Sequence, residues 1–299
     1  MMDFRKLAHR WIQDRLRAPR LAHPAVPEDF QLQAEEIHLP TAGGKALFGW
    51  HVPAPGMQNS PAILVMHGWG GNAGMMLPLA PALHWAGFHV LLVDARCHGV
   101  SDEDDFTSLP RFAEDIEAGL RWLRQQPGVD GERLAVLGHS VGAGAALLCA
   151  ARDPSLAAVI SIGAFAHPAE MMKRFLAALH IPYPVLGWYV LRHVERAIGA
   201  RFDDIAPLTS MRRLHCPVLL VHGTNDETVP YGDMLRLHAA AAHDDVECVA
   251  FTGGHDPSGA LDTHLPELVR FLKRACGIHP AHHLTLLPAE PMPRRKTCS

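Results

Sequence analysis

The sequence predicts an α/β fold with a mostly parallel sheet and helices on both of its faces. Three observations carry this. Short runs such as Ala62–Met66 and Val218–His222 are apolar, as strands buried on two sides must be. Helical segments separate most of these runs. And the run Leu134–Gly138 passes through a glycine-flanked serine straight into Val141–Arg152, whose small residues suit a closely packed helix.

Residues 1–18 read as an amphipathic helix, with Phe4, Leu7, Ala8, Trp11, Ile12 and Leu16 at helical spacing and basic residues between them. Two readings follow: a helix docked on the body, which we favour, or one that makes weak contact with an anionic membrane surface. Pro19–Pro27 is a connection, so residues 1–30 form an N-terminal unit. Gln33–Leu39 and Ala46–Val52 alternate as strands around a Gly43-Gly44 hairpin turn. The apolar strands follow at Ala62–Met66, His89–Asp94, Leu134–Gly138, Ala158–Ile162 and Val218–His222, with Glu247–Phe251 as one more. Helices are expected at Leu77–Trp85, Leu109–Gln126 and Val141–Arg152, and a closing helix at Asp262–Cys276. The stretch 165–214 breaks this rhythm with two amphipathic helices, about Ala169–His180 and Val185–Gly199, and reads as a cap near a site. The main domain therefore spans 31–276, and the proline-rich stretch 277–299 reads as a disordered tail.

Composition narrows the function classes. A formal net charge of −4 gives no footprint for nucleic acid. Six cysteines without paired spacing point to reduced thiols in a cytoplasmic protein. The 21 histidines include neither an HExxH pattern nor zinc spacing, so neither a metal nor another cofactor is expected. No run approaches the ~20 apolar residues of a membrane span, and no secretory leader is visible.

The chemistry centres on Gly138-His139-Ser140-Val141-Gly142. Glycines on both sides let a strained turn lift the Ser140 hydroxyl above the sheet edge. A serine hydroxyl attacks only when a base takes its proton, and the base needs an orienting acid. Asp226 lies on the loop beyond strand Val218–His222, and His255 on the loop beyond Glu247–Phe251. Both loops fall at the carboxyl edge of a parallel sheet, where Ser140 also lies. Glu227 is a rival acid and His222 a rival base. The oxyanion formed on attack needs fixed donors, for which the Val141 and Trp69 amides are the candidates. Trp69 stands in His67-Gly68-Trp69-Gly70-Gly71-Asn72, a run without the GxxxxGK[ST] pattern of a nucleotide site. His139 and the cap residues Met171, Phe175, Trp188 and Tyr189 are candidate pocket walls, although such cap residues more often serve as the cap's own core.

Four motifs in order give the chain a family resemblance: His67-Gly68 with its glycines, Asp94-Ala95-Arg96-Cys97-His98-Gly99-Val100-Ser101-Asp102, the serine elbow, and the Asp226 and His255 loops. From about Gln31 to Cys276 the chain resembles the α/β-hydrolase superfamily, in its bacterial serine esterase and peptidase-like branch. The resemblance implies an eight-stranded sheet whose second strand is antiparallel, a helical cap after the sixth strand, and no cofactor. One position departs from it. Cys97 occupies the first glycine of a D-x-R-G-H-G-x-S loop, where glycine tolerates positive φ, so a shifted or strained loop is expected around a quiet, partly buried thiol. The expected activity is hydrolysis of a small or hydrophobic carboxylic ester through an acyl-enzyme. Amide, peptide or thioester hydrolysis and acyl transfer are alternatives, as is a ligand sensor on the same fold.

Overall fold

The computed structural model describes residues 17–56, 59–181, 183–256 and 262–278. The amphipathic stretch 1–16 and most of the C-terminal tail, 279–299, lie outside them. The sheet has eight strands: β1 (Glu35–Thr41), β2 (Lys45–Val52), β3 (Ser60–Met66), β4 (His89–Val93), β5 (Val129–His139), β6 (Ala158–Ile162), β7 (Val218–Gly223) and β8 (Val246–Phe251). Their spatial order is β1-β2-β4-β3-β5-β6-β7-β8, and β2 runs antiparallel to both of its neighbours. Every pairing from β4 onward is parallel. The Gly43-Gly44 turn is a short 3-10 turn in which both glycines take positive φ.

Two-sided burial explains why the central strands are apolar throughout. On β3, Ala62, Leu64 and Met66 pack into one core, while Ile63 and Val65 pack into the core on the opposite face. β5 divides in the same way, Leu134 and Val136 against Ala135 and Leu137. Each strand therefore contributes to both layers with period 2.

The helices are α1 (Ala73–Met76), α2 (Ala80–Trp85), α3 (Leu109–Leu123), α4 (Val141–Arg152), α5 (Pro168–Ala178), α6 (Trp188–Ile198), α7 (Phe202–Ile205), α8 (Pro207–Met211), α9 (Gly232–Ala239) and α10 (Leu265–Ala275). The helix expected at Leu77–Trp85 begins earlier and is broken. Asn72 caps α1 by accepting from the Met75 amide, and a 3-10 turn through Pro78 separates α1 from α2. In the cap, the second helix starts at Trp188 rather than Val185, because a π turn, Tyr183–Gly187, precedes it. It ends at Gly199, whose φ of 70° supplies the left-handed cap. The insertion does follow β6. It is rooted on α9, where Arg236 makes a bidentate pair with Glu170 at 2.7 and 2.8 Å. No helix among the described residues is long and apolar enough to cross a membrane.

The chain order of the sheet reverses at β3, which has β4 on one side and β5 on the other. Open α/β sheets place their crevice at such a reversal, beyond the carboxyl ends of the strands. The loop after β3 and the turn after β5 are the ones that carry Trp69 and Ser140.

Candidate active site

Ser140 sits between β5 and α4 with φ 54° and ψ −117°, a conformation that costs a residue with a side chain roughly 1–3 kcal/mol. Two backbone bonds hold it: its amide donates to Ile162 O (2.8 Å), and its carbonyl accepts from Gly144 N (3.0 Å). The flanking glycines are required by distance. A Cβ on Gly138 would lie 2.2 Å from Gly142 O, and one on Gly142 would lie 2.3 Å from His67 O. The turn closes, and α4 approaches β3, only because those methyl groups are absent.

The Asp226 and His255 loops are joined side by side. Thr224 N donates to Phe251 O and Asn225 N to Gly253 O, both at 2.9 Å. Gly223 allows this, since a Cβ there would come within 2.4 Å of Gly254 O. Asp226 Oδ1 accepts from the Thr228 and Val229 amides (2.9 and 2.8 Å), which leaves Oδ2 facing His255 Nδ1 at 2.7 Å. His255 Nε2 stands 2.9 Å from Ser140 Oγ. The carboxylate can only accept, so the proton of a neutral His255 is on Nδ1 and Nε2 is free to accept from the hydroxyl. The structure thus brings together three residues separated by as many as 115 positions.

Neither rival residue takes a place between Asp226 and Ser140, although His222 Nε2 comes within 3.4 Å of Asp226 Oδ2. Glu227 is exposed. His222 is buried on β7, donates to Val229 O (2.9 Å) and so supports the Asp226 loop from behind. His139 has a role that its place in the motif did not reveal. Its Nε2 donates to the His255 carbonyl at 2.9 Å, tying the histidine loop to the serine turn. Burial, with His255 adding to the effect, lowers its pKa to about 4 and keeps it neutral.

The loop after β3 approaches Ser140 closely: a Cβ on Gly68 would be 3.2 Å from Ser140 Cβ. The Gly68 carbonyl is engaged twice, by His67 Nδ1–H (2.7 Å) and by Gly71 N–H (3.0 Å). In a trans peptide the next N–H points the opposite way, so these bonds also fix the direction of the Trp69 amide. No described residue accepts from that amide. The Val141 amide, first of α4, is a helix-terminal donor without an intrahelical partner. His67 Nε2 accepts from Ala95 N (3.0 Å); burial, then His98, lowers its pKa to about 3 and preserves this tautomer.

Behind this loop, Arg96 is buried and binds Asp115 with both its Nε (3.0 Å) and an Nη (2.7 Å), and its amide donates to the same carboxylate. Cys97 takes φ 66°, so a residue with a side chain occupies the left-handed conformation expected there. Its Sγ accepts from Asp104 N (3.3 Å), and burial, the leading influence, raises the thiol pKa. Gly99 is the position that cannot change. A Cβ there would fall 1.9 Å from Asp94 Oδ2.

Of the proposed pocket walls, Met171 packs partly buried against the core below the cap. Phe175, Trp188 and Tyr189 are exposed on the cap surface. Trp69 is exposed as well, its ring stacked on Phe112 and edge-on to His98. Among the described residues no group of three His, Cys, Asp or Glu side chains is arranged to hold a metal ion.

Comparison with known proteins agrees with this architecture. Residues 58–198 match the family model described as "Serine aminopeptidase, S33". An uncharacterized protein of Mycobacterium tuberculosis is 33% identical over 239 residues, covering 79% of this chain and 78% of its own. A lysophosphatidylserine lipase of Danio rerio is 29% identical over 61% of this chain and 47% of its own. The solved structure of a Pyrococcus furiosus esterase superimposes with a TM-score of 0.70 at 20% identity, over 87% of this chain and 99% of that one, a likeness of fold. With the eight-stranded sheet, the cap after β6 and the serine turn beyond β5, the chain belongs to the α/β-hydrolase superfamily.

Proposed function

We propose that the chain is a carboxylic-ester hydrolase that works through an acyl-enzyme on Ser140. The observation that carries this is the continuous line Ser140 Oγ–His255 Nε2 (2.9 Å) and His255 Nδ1–Asp226 Oδ2 (2.7 Å). His255 takes the hydroxyl proton as Oγ bonds to the ester carbonyl carbon. The carbonyl oxygen becomes an oxyanion that accepts from the Trp69 and Val141 amides. Collapse breaks the bond to the alkoxide, which leaves with the proton from His255. Water then enters by the same route, and the acid is released. Asp226 holds the imidazole in the required tautomer and stabilises its protonated form. Ester chemistry is supported by the lipase among the relatives, and a hydrophobic acyl or alcohol group by the exposed aromatic residues of the cap. Free thiols at each described cysteine support a cytoplasmic setting.

Amide hydrolysis is the second reading, favoured by the aminopeptidase description of the matching family model. A panel of p-nitrophenyl esters of graded chain length, set against aminoacyl p-nitroanilides, separates the two. A fluorophosphonate probe is expected to label the chain, and Ser140→Ala to abolish labelling with an unchanged circular-dichroism spectrum. Equal labelling of the Ser140→Ala protein would defeat the proposal.

A further inference from the structure

The sequence reads as a helix up to residue 18 and a plain connection from Pro19, yet in the structure residues 17–25 are non-helical and bound to the Trp69 loop and to the Cys97–Ser101 loop beside it. The Pro19 ring rests on Gly70, where a Cβ would meet it at 2.7 Å. Asn72 Nδ2 donates to Leu21 O (3.0 Å) and Ala22 O (3.1 Å), while the other end of the same amide caps α1. Gly74 lies directly under His23, Pro24 and Ala25, each about 3.0 Å from where its Cβ would be. On the other side, Arg20 Nε donates to Gly99 O (2.7 Å), and the same guanidinium reaches Ser101 O.

His23 is the centre of this attachment. Its ring lies over Trp50 and Phe48, with centroids 4.6 and 5.3 Å away. Its Nε2–H donates to both oxygens of Asp94, at 2.9 and 3.1 Å. Asp94 is fully buried at the end of β4, where a carboxylate is tolerated only with its oxygens satisfied. Its other donors are the amides of Ala73 (2.7 Å), which opens α1, and Val100 (2.7 Å), in the Cys97–Ser101 loop. Burial opposes ionisation of Asp94, but these three hydrogen bonds hold its pKa below the ordinary value. The residue after Asp94 is Ala95, whose amide fixes His67, and His67 fixes the Gly68–Trp69 peptide.

We propose that residues 17–25 form a clasp that holds the Trp69 loop at its working distance from Ser140, with His23 as a positioning residue acting through Asp94. The proposal rests on the acyl-transfer reading above. Loss of a whole oxyanion donor costs about 10²–10³ in turnover, so loosening the support of one is expected to cost less, about tenfold.

The test uses the full chain, p-nitrophenyl acetate, and active sites counted by end-point fluorophosphonate titration. His23→Leu keeps an apolar filling but removes the donor. It should lower kcat per titrated site about tenfold with KM within about twofold, the pattern of an interaction used in the transition state. His23→Gln, which restores an N–H donor, should recover kcat to within about threefold of the unaltered chain. Arg20→Met, at a partly exposed side chain and so a substitution the fold tolerates, should lower kcat about threefold in the same pattern. Unchanged kcat per site in both His23→Leu and Arg20→Met would overturn the clasp, whatever happens to Tm. So would a rise in KM alone, or equal losses in His23→Leu and His23→Gln. Failure of the unaltered chain to react with the fluorophosphonate would instead remove the acyl-transfer reading, and the clasp with it.

Discussion

Adding one methyl group at Gly142 should disable the site while leaving the chain folded. A Cβ built there lies 2.3 Å from His67 O and 2.8 Å from Met66 O, and ordinary contact begins at 3.4 Å. Both atoms are backbone, so neither can rotate aside. The turn bearing Ser140 and the loop bearing Trp69 must therefore separate by about 1 Å, and a shift of that size can cost about 10²-fold in rate. Overpacking of this kind destabilises by about 1–3 kcal/mol, and alanine returns at most about 1 kcal/mol in helix propensity. The net loss of about 1 kcal/mol corresponds to a Tm drop of about 2–4 °C. Gly144→Ala is the control. Its nearest neighbours are Leu109 Cδ1 at 3.0 Å and Pro207 Cγ at 3.2 Å, side-chain tips that can give way. Steady-state hydrolysis of p-nitrophenyl acetate and thermal melts should show a ~100-fold loss of kcat/KM for Gly142→Ala and less than threefold for Gly144→Ala. If Gly142→Ala stays within threefold of the unaltered chain, the close approach of α4 to the β3 loop does not set the site geometry, and the reasoning fails.

The sheet was legible because each central strand is buried on both faces, so the signal repeats at every residue from Ala62 to Met66. The three residues on the Ser140–His255–Asp226 line could be read because each lies at most a few residues beyond the carboxyl end of a parallel strand, where topology alone fixes the edge. Helix α9 was missed. Among its residues only Asp233, Met234 and Leu237 are buried, and its starting Gly232 is no helix signal. The positioning roles were hidden for a different reason. His23 and Asp94 lie 71 positions apart, and His139 reaches the carbonyl of a residue 116 positions away. Periodicity reports which face of a segment is apolar. It carries no information about which distant carbonyl or carboxylate a polar side chain will meet. Cys97 was different: a side chain standing where a glycine is expected already announces a left-handed residue, and φ 66° is what the loop adopts.

Two further predictions concern buried polar groups. Asp115→Asn would leave the Arg96 guanidinium without its closest carboxylate in a dry site. Breaking a buried pair on one side costs about 3–5 kcal/mol, so a urea titration should show that loss; a change below about 1 kcal/mol would mean Glu114 and Asp104 suffice. The second concerns acid. His67 titrates at about 3, and His51 and His139 at about 4, all lowered first by burial. All three are therefore neutral in the folded chain, whereas in the unfolded chain they take up protons near pH 6.5. Below that pH the unfolded state binds more protons, so stability is complete above about 6.5 and falls as pH drops toward 4. Each group loses about 1.4 kcal/mol per pH unit, or about 2 kcal/mol at pH 5. His51 lies away from the sheet edge that carries Ser140, stacked on His89 and edge-on to Trp122, so it can be tested alone. His51→Phe should reduce the stability lost between pH 7 and pH 5 by about 2 kcal/mol. An unaltered loss would show that His51 is protonated in the folded chain, and that its hydrogen bond to His89 at 3.1 Å, rather than its burial, governs its titration.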